Sequence, residues 1–145
     1  RPQPVTPGHR RGVLDTSTVV LLSRLEDPDR LPIEPVITTI TLAELTVGPL
    51  ITDDETERAA RQAHVQQAEA DFEPLPFDAA AARAFGHVAS DLRRAGRTTR
   101  ARAYDALIAA IAIARDLPLY TVNPGDFEHI SDLEVVAVPH PDVGD

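Results

Sequence analysis

Residues 12–17 read Gly12-Val13-Leu14-Asp15-Thr16-Ser17, an apolar run that stops on an acid and passes into hydroxyl residues. That is the pattern of a buried strand whose end turns into a helix. Three further acids stand in comparable settings: Glu44 in Thr41-Leu42-Ala43-Glu44-Leu45, Asp105 in Tyr104-Asp105-Ala106-Leu107-Ile108, and Asp126 in Asn123-Pro124-Gly125-Asp126-Phe127. Each falls where a strand ends or a helix begins. In an α/β sheet such edges converge at a crevice outside the carboxyl ends of the strands, so acids distant in sequence can meet in space. Clustered carboxylates without partners are unfavourable until a divalent cation neutralises them, and the set reads as a metal site.

Working outward, strand and helix patterns alternate, which predicts an α/β domain with a largely parallel sheet. Strand 12–14 leads into a helix over 17–25, stopped by Asp27-Pro28. The β-branched stretch 35–40 reads as a second strand, followed by a helix from Leu42 to near Gly48-Pro49. A weakly amphipathic helix over 53–70, a short strand over 72–75 and a helix capped by Asp78 come next. Ala81, Phe85, Val88, Ala89 and Leu92 recur at helical spacing up to Gly96, and Tyr104, Leu107, Ile108 and Ile111 repeat the stripe. Residues 119–122 and 133–138 read as strands, the last one at an edge.

The chain of 145 residues fits one domain over 12–140, with a flexible Pro-rich extension over 1–11 and a tail over 141–145. The absence of Met suggests that at least one residue precedes this sequence. With no Cys, disulfides, thiolate zinc sites and a Cys nucleophile are excluded, which fits a reducing cytoplasmic setting. The longest apolar run, 106–114, is too short to span a bilayer, so a soluble protein is expected. A net charge of −9 argues against broad electrostatic binding of nucleic acid. Arg93, Arg94, Arg97, Arg100 and Arg102 nevertheless lie in one stretch, either as a solvated helix end or as a phosphate-binding rim for RNA. His64, His87, His129 and His140 show no paired spacing, which gives a zinc hydrolase no support.

Taken singly, each acid has an ordinary structural role. Asp15 could cap a helix, Thr41 and Glu44 could form a capping box, Asp105 could suit a helix dipole, and Asp126 could cap a turn. Jointly they point elsewhere. Asp105 stands on an otherwise apolar helix whose neighbours Ala101, Ile108, Ala109 and Ala112 offer no countercharge. Ligation by oxygen alone suits Mg2+ or Mn2+.

These segments, together with Thr38 through Leu45 and Leu119 through Phe127, resemble the PIN-domain ribonucleases, and within them the VapC-type toxins of bacterial toxin–antitoxin pairs. The resemblance covers the chain from about Val13 to Pro139. It implies an α/β/α sandwich with a central, mostly parallel sheet flanked by helices. It also implies Asp15, Glu44 and Asp105 as metal-site and catalytic acids, with a fourth from the segment after the fourth strand. There Asn123 stands where many relatives carry Asp, and Asp126 is the nearest acid. An Asn ligand brings no charge, so a second cation would bind more weakly. Ser17 and Thr121 are candidates for orienting acids or water.

The implied activity is Mg2+-dependent hydrolysis of RNA by an activated water, leaving a 5′-phosphate and a 3′-hydroxyl. The implied partners are an RNA substrate, a cognate VapB-type antitoxin and a second copy in a homodimer. Small residues around 79–84 and 109–114 suit either a dimer contact or packing inside the monomer. With two Tyr and four Phe, base stacking is expected to contribute little. The alternative is a PIN-like module that binds RNA or protein without cutting, an alternative that Asn123 keeps open.

Overall fold

Val13 and Leu14 are both fully buried, yet they belong to different cores, because successive side chains of a strand point to opposite faces. This alternation at the central strand organises the molecule, which is described by a computed structural model over residues 10–100 and 102–142. Five strands, β1 (Arg11–Leu14), β2 (Glu34–Thr38), β3 (Pro74–Leu75), β4 (Leu119–Thr121) and β5 (Val135–Ala137), form one sheet in the order β3-β2-β1-β4-β5. All four pairings are parallel, with Val13 opposite both Val36 and Leu119, and Leu14 opposite Tyr120.

Five α-helices cover the sheet: α1 (Thr16–Val20), α2 (Thr39–Val47), α3 (Glu55–Asp71), α4 (Ala79–Arg94) and α5 (Ala103–Ala114). On one face Val13 and Leu119 meet Ala81, Val88 and Leu92 of α4 and Ile108 and Ile111 of α5. On the other, Leu14, Ile37 and Tyr120 meet Val19 of α1, Leu45 of α2, and Val65 and Ala68 of α3. Each fully buried Leu, Ile or Val contributes roughly 1.5–3 kcal/mol relative to exposure. The result is the expected α/β/α sandwich.

Several boundaries differ from the sequence reading for identifiable reasons. β1 begins at Arg11, while residues 1–9 and 143–145, the bulk of the expected extension and tail, lie outside the described residues. The helix expected over 17–25 is shorter: α1 stops at Val20 and a 3-10 turn follows at Leu22–Arg24. β2 ends at Thr38, whose side chain accepts from the Thr41 N–H and so starts α2 three residues earlier than expected. The β-branched run continued the strand pattern past a cap that overrides it. Asp54 caps α3 and Asp78 caps α4. Gly96, at φ +77°, takes the left-handed conformation that ends α4. Tyr104 lies outside the apolar stripe of α5 and is 57% exposed. Ala109, Ala110 and Ala112 are buried inside the monomer, which decides for α5 between the two packing readings.

Two contacts lock the sheet to its surroundings. A Cβ at Gly12 would lie 2.6 Å from the buried Tyr120 ring, so β1 admits that ring only because position 12 lacks a side chain. Asp91 of α4 is buried; its Oδ2 accepts both the backbone N–H and the hydroxyl of Ser131 at 2.9 Å, while Arg94 pairs with Oδ1. The Ser131 N–H, then its hydroxyl, hold Asp91 below the usual carboxylate range.

Candidate active site

β2 and β3 extend from one side of β1, whereas β4 and β5 extend from the other. The reversal opens a crevice outside the carboxyl ends of β1 and β4, the place where parallel α/β sheets bind ligands. Asp15 directly follows β1, and Asn123 and Asp126 follow β4.

Asp15 is the most constrained of the acids. It is 2% exposed and caps α1 through the Thr18 N–H, at 3.2 Å from Oδ1, which also accepts the Thr18 hydroxyl. Oδ2 accepts the Thr121 hydroxyl at 2.7 Å. The same hydroxyl oxygens accept from β4's exit: Thr18 Oγ1 from the Val122 N–H at 3.1 Å, and Thr121 Oγ1 from the Asn123 N–H at 2.9 Å. Burial pushes Asp15 above the usual carboxylate range, opposed by the Thr18 and Thr121 hydrogen bonds and assisted by the charge on Asp126.

Glu44 sits on α2 but does not serve as the expected capping acid, since Thr38 fills that role. Its Oε1 accepts the Thr16 hydroxyl at 2.5 Å. Thr16 Oγ1 lies 3.0 Å from Thr41 Oγ1. A hydroxyl has one hydrogen, and Thr16 gives its own to Glu44, so Thr41 donates to Thr16. Burial raises the pKa of Glu44 and the negative charge of Asp15 adds to it.

Asp105, in the first turn of α5, is pushed up to about 6. Burial is the largest cause, followed by the charges of Asp126, Asp15 and Glu44, with Arg102 opposing. Asp105 therefore senses the other three acids at once, which brings the four sequence-identified carboxylates into one electrostatic cluster. Arg102 corrects the expectation that Asp105 has no nearby cation from its own helix. This residue, the N-cap of α5, directs Nη1 to Asp126 Oδ1 at 2.7 Å.

A cavity of about 500 Å3 opens beside the cluster, lined by Glu44, Asp105, Arg100, Arg102, Ala103 and Tyr104. The stretch of arginines divides here. Arg100 and Arg102 face this cavity, whereas Arg94 folds back onto Asp91 and Ser90, Arg97 lies 3.8 Å from Glu128, and Arg93 is exposed. Neither Ser17 nor Asn123 makes a side-chain hydrogen bond among the described residues; the hydroxyls that hold the acids are those of Thr16, Thr18 and Thr121. Thr16 and Thr18 escaped the sequence reading, although hydroxyl residues directly after a strand-ending acid were the signal.

The donor chemistry fits a hard divalent cation, because the cluster offers only carboxylate, amide and hydroxyl oxygens, and Asp15, Glu44 and Asp105 are held above their usual range by burial and by the neighbouring negative charges. As placed, no group of three or more His, Asp or Glu side chains among the described residues is set to hold a metal ion. Thr16 and Arg102 occupy oxygens of Glu44 and Asp126. Closing a ligand set requires the carboxylates to draw together around added positive charge.

The PIN domain family model matches residues 13–133. Ribonuclease VapC5 of Mycobacterium tuberculosis is 40% identical over 112 residues, spanning 76% of this chain and 81% of the relative. Ribonuclease VapC of Rickettsia bellii is 30% identical over 134 residues, spanning 88% and 96%. Among solved structures, a member of the VapBC family of toxin–antitoxin systems, VapBC-5 from M. tuberculosis, matches with a TM-score of 0.77 and 36% identity over 89% of this chain and 99% of that one. The matched span runs from the second half of β1 to just before β5 and contains all four acids. The chain belongs to the PIN domain family, among its VapC-type members.

Proposed function

We propose that this protein is a VapC-type ribonuclease, the toxin of a toxin–antitoxin pair, and that it hydrolyses RNA with Mg2+ or Mn2+ to leave a 5′-phosphate and a 3′-hydroxyl. The observation that carries the reading is Asp105: its pKa of about 6 reflects burial together with three other carboxylates, beside a cavity that also presents arginines. Acids arranged to repel one another at a sheet's switch point are an expensive feature for stability alone and a useful one for cation binding.

Asp15, Glu44, Asp105 and Asp126 would hold the cation, with Asn123 as a neutral oxygen donor. When bound there, Mg2+ supplies the positive charge that draws in a phosphodiester and makes an attacking water acidic. Thr18 and Thr121 hold Asp15 in one orientation, and their hydrogen bonds favour its charged form against the effect of burial. Glu44 is positioned by Thr16, and Thr16 by Thr41. Arg100 and Arg102 attract the phosphates on either side of the scissile bond. This lets an acidic protein engage a polyanion locally.

An antitoxin of VapB type is the proposed protein partner, supported by the VapBC complexes among the similar solved structures. Pairing of two copies and a cytoplasmic location belong to the same proposal. No helix among the described residues is long and apolar enough to cross a membrane. Incubating total bacterial RNA with the protein and Mg2+, then mapping the ends, tests the reading. Discrete cuts with 5′-phosphates are expected, and cuts bearing 2′,3′-cyclic phosphates would overturn the proposed chemistry.

A further inference from the structure

Among the tyrosine and phenylalanine side chains of the described residues, one is left exposed, and it stands on the wall of the cavity that the acids share with Arg100 and Arg102. Tyr104 is 57% exposed and shares that wall with Glu44, Asp105, Arg100 and Arg102. The other tyrosine and phenylalanine rings are buried or partly buried. Tyr120 and Phe127 are 1% exposed, Phe77 and Phe85 meet edge to face at 6.4 Å, and Phe72 packs against the core around Leu14. At the start of an otherwise apolar helix, the inward position is taken by Ala106 and Ile108, and the ring of Tyr104 is turned to solvent.

The cavity therefore presents three kinds of group: carboxylates suited to a cation, guanidinium groups suited to phosphate, and a flat ring. Its volume, about 500 Å3, falls within the ~300–1,000 Å3 typical of small-ligand sites. A cation-held phosphate, a flanking phosphate and a base are the parts of a nucleotide in a single strand. A base inside a duplex has both faces covered by its neighbours, so only an unpaired or looped base can place a face on an aromatic side chain. Tyr supplies that face at low conformational cost, having two side-chain torsions to fix.

We infer that Tyr104 stacks on an unpaired base next to the scissile phosphate, and so selects single-stranded or looped RNA at this site. The inference rests on the ribonuclease reading above. It also revises the expectation that aromatic residues contribute little to recognition.

The composition provides a direct readout. The chain has no Trp and two Tyr, and Tyr120 is 1% exposed, so a change in intrinsic fluorescence on ligand binding reports Tyr104. A short single-stranded RNA carrying a mapped cut site is mixed with protein and Mg2+ by stopped flow, so that binding is read before cleavage. Quenching of tyrosine emission is expected in the wild type. Tyr104→Ala should raise KM about tenfold, a typical loss for one base–aromatic stack, with an unchanged melting temperature. Tyr104→Phe should retain the wild-type KM. Replacing one nucleotide beside the cut by an abasic residue should weaken binding to the wild type by a similar factor, and weaken Tyr104→Ala no further.

If the RNA is cut normally while Tyr104→Ala leaves KM unchanged, or if the abasic and Tyr104→Ala losses simply multiply, the stacking inference is overturned and the ribonuclease reading stands. If no RNA binds and none is cut by any variant, both are overturned.

Discussion

The hydroxyl of Thr121 donates to Oδ2 of Asp15 at 2.7 Å across a sequence separation of 106. That bond joins the exits of β1 and β4 and gives Asp15 a structural role that Asp105 lacks. Neutralising either acid relieves repulsion within the cluster. The hydrogen bonds separate them. Asp15→Asn keeps an acceptor oxygen on one side and presents N–H donors on the other, so either Thr18 or Thr121 loses its acceptor, and the change should cost about 1–3 kcal/mol while abolishing cleavage. Asp105→Asn should abolish cleavage with stability unchanged or raised. Urea denaturation of the two variants against the wild type measures the difference.

The raised pKa of Asp105 fixes a pH dependence. A carboxyl whose folded value, about 6, lies above its unfolded value of 3.8 contributes stability that is fully present below 3.8 and lost as pH rises through 6. Metal-free wild type should therefore gain stability relative to Asp105→Asn as pH falls from neutrality towards 4. The gain should be on the order of 1 kcal/mol once solvent screening at a partly exposed group is included. Parallel melting curves in EDTA check it, and a gap that widens towards acid pH would contradict the sign.

Thr16 positions Glu44, so removing its hydroxyl should be felt through that acid. In Thr16→Val the carboxylate loses a donor that lowers its pKa while burial and Asp15 continue to raise it. The acid limb of the pH–rate profile should therefore move to higher pH. A profile that keeps its shape with only its height reduced would show that Thr16 does not act through Glu44.

The segment after β4 determines how much charge the site offers. Asp126 acts on both Asp15 and Asp105, whereas Asn123 contributes no charge. Asn123→Asp should lower the Mg2+ concentration needed for half-maximal cleavage, and Asp126→Asn should raise it. Each change should be severalfold or more, one unit charge near a cation being worth roughly 1 kcal/mol or more at partly exposed sites. A Mg2+ titration in which neither variant moves the midpoint would remove this segment from the metal site.

Much of this architecture was legible because its signals are local. Strand-ending Asp15, the Asp78 cap, Gly96 and the apolar stripe through Val88 and Leu92 each depend on neighbours a few residues away. What was hidden depends on contacts distant in sequence. The placement of β1 between β2 and β4, the Thr16–Glu44 bond and the burial of Asp91 under Ser131 are set by tertiary packing that no short window contains. Tyr104 misled because its spacing matched the stripe, while the chain's turn into α5 leaves its ring outside. Which hydroxyls hold the acids and which arginines face them followed from the fold alone.

If the four carboxylates form a cation site, its occupancy drives RNA hydrolysis. Titrating Mg2+ into the protein with a single-stranded RNA, and following binding and cleavage together in the wild type and in Asp105→Asn, tests it most directly. Wild-type cleavage should rise saturably with Mg2+, vanish in EDTA and yield 5′-phosphate ends, with Asp105→Asn folded but inactive. RNA that is bound yet remains intact at every Mg2+ concentration, or is cut equally well in EDTA, would contradict it.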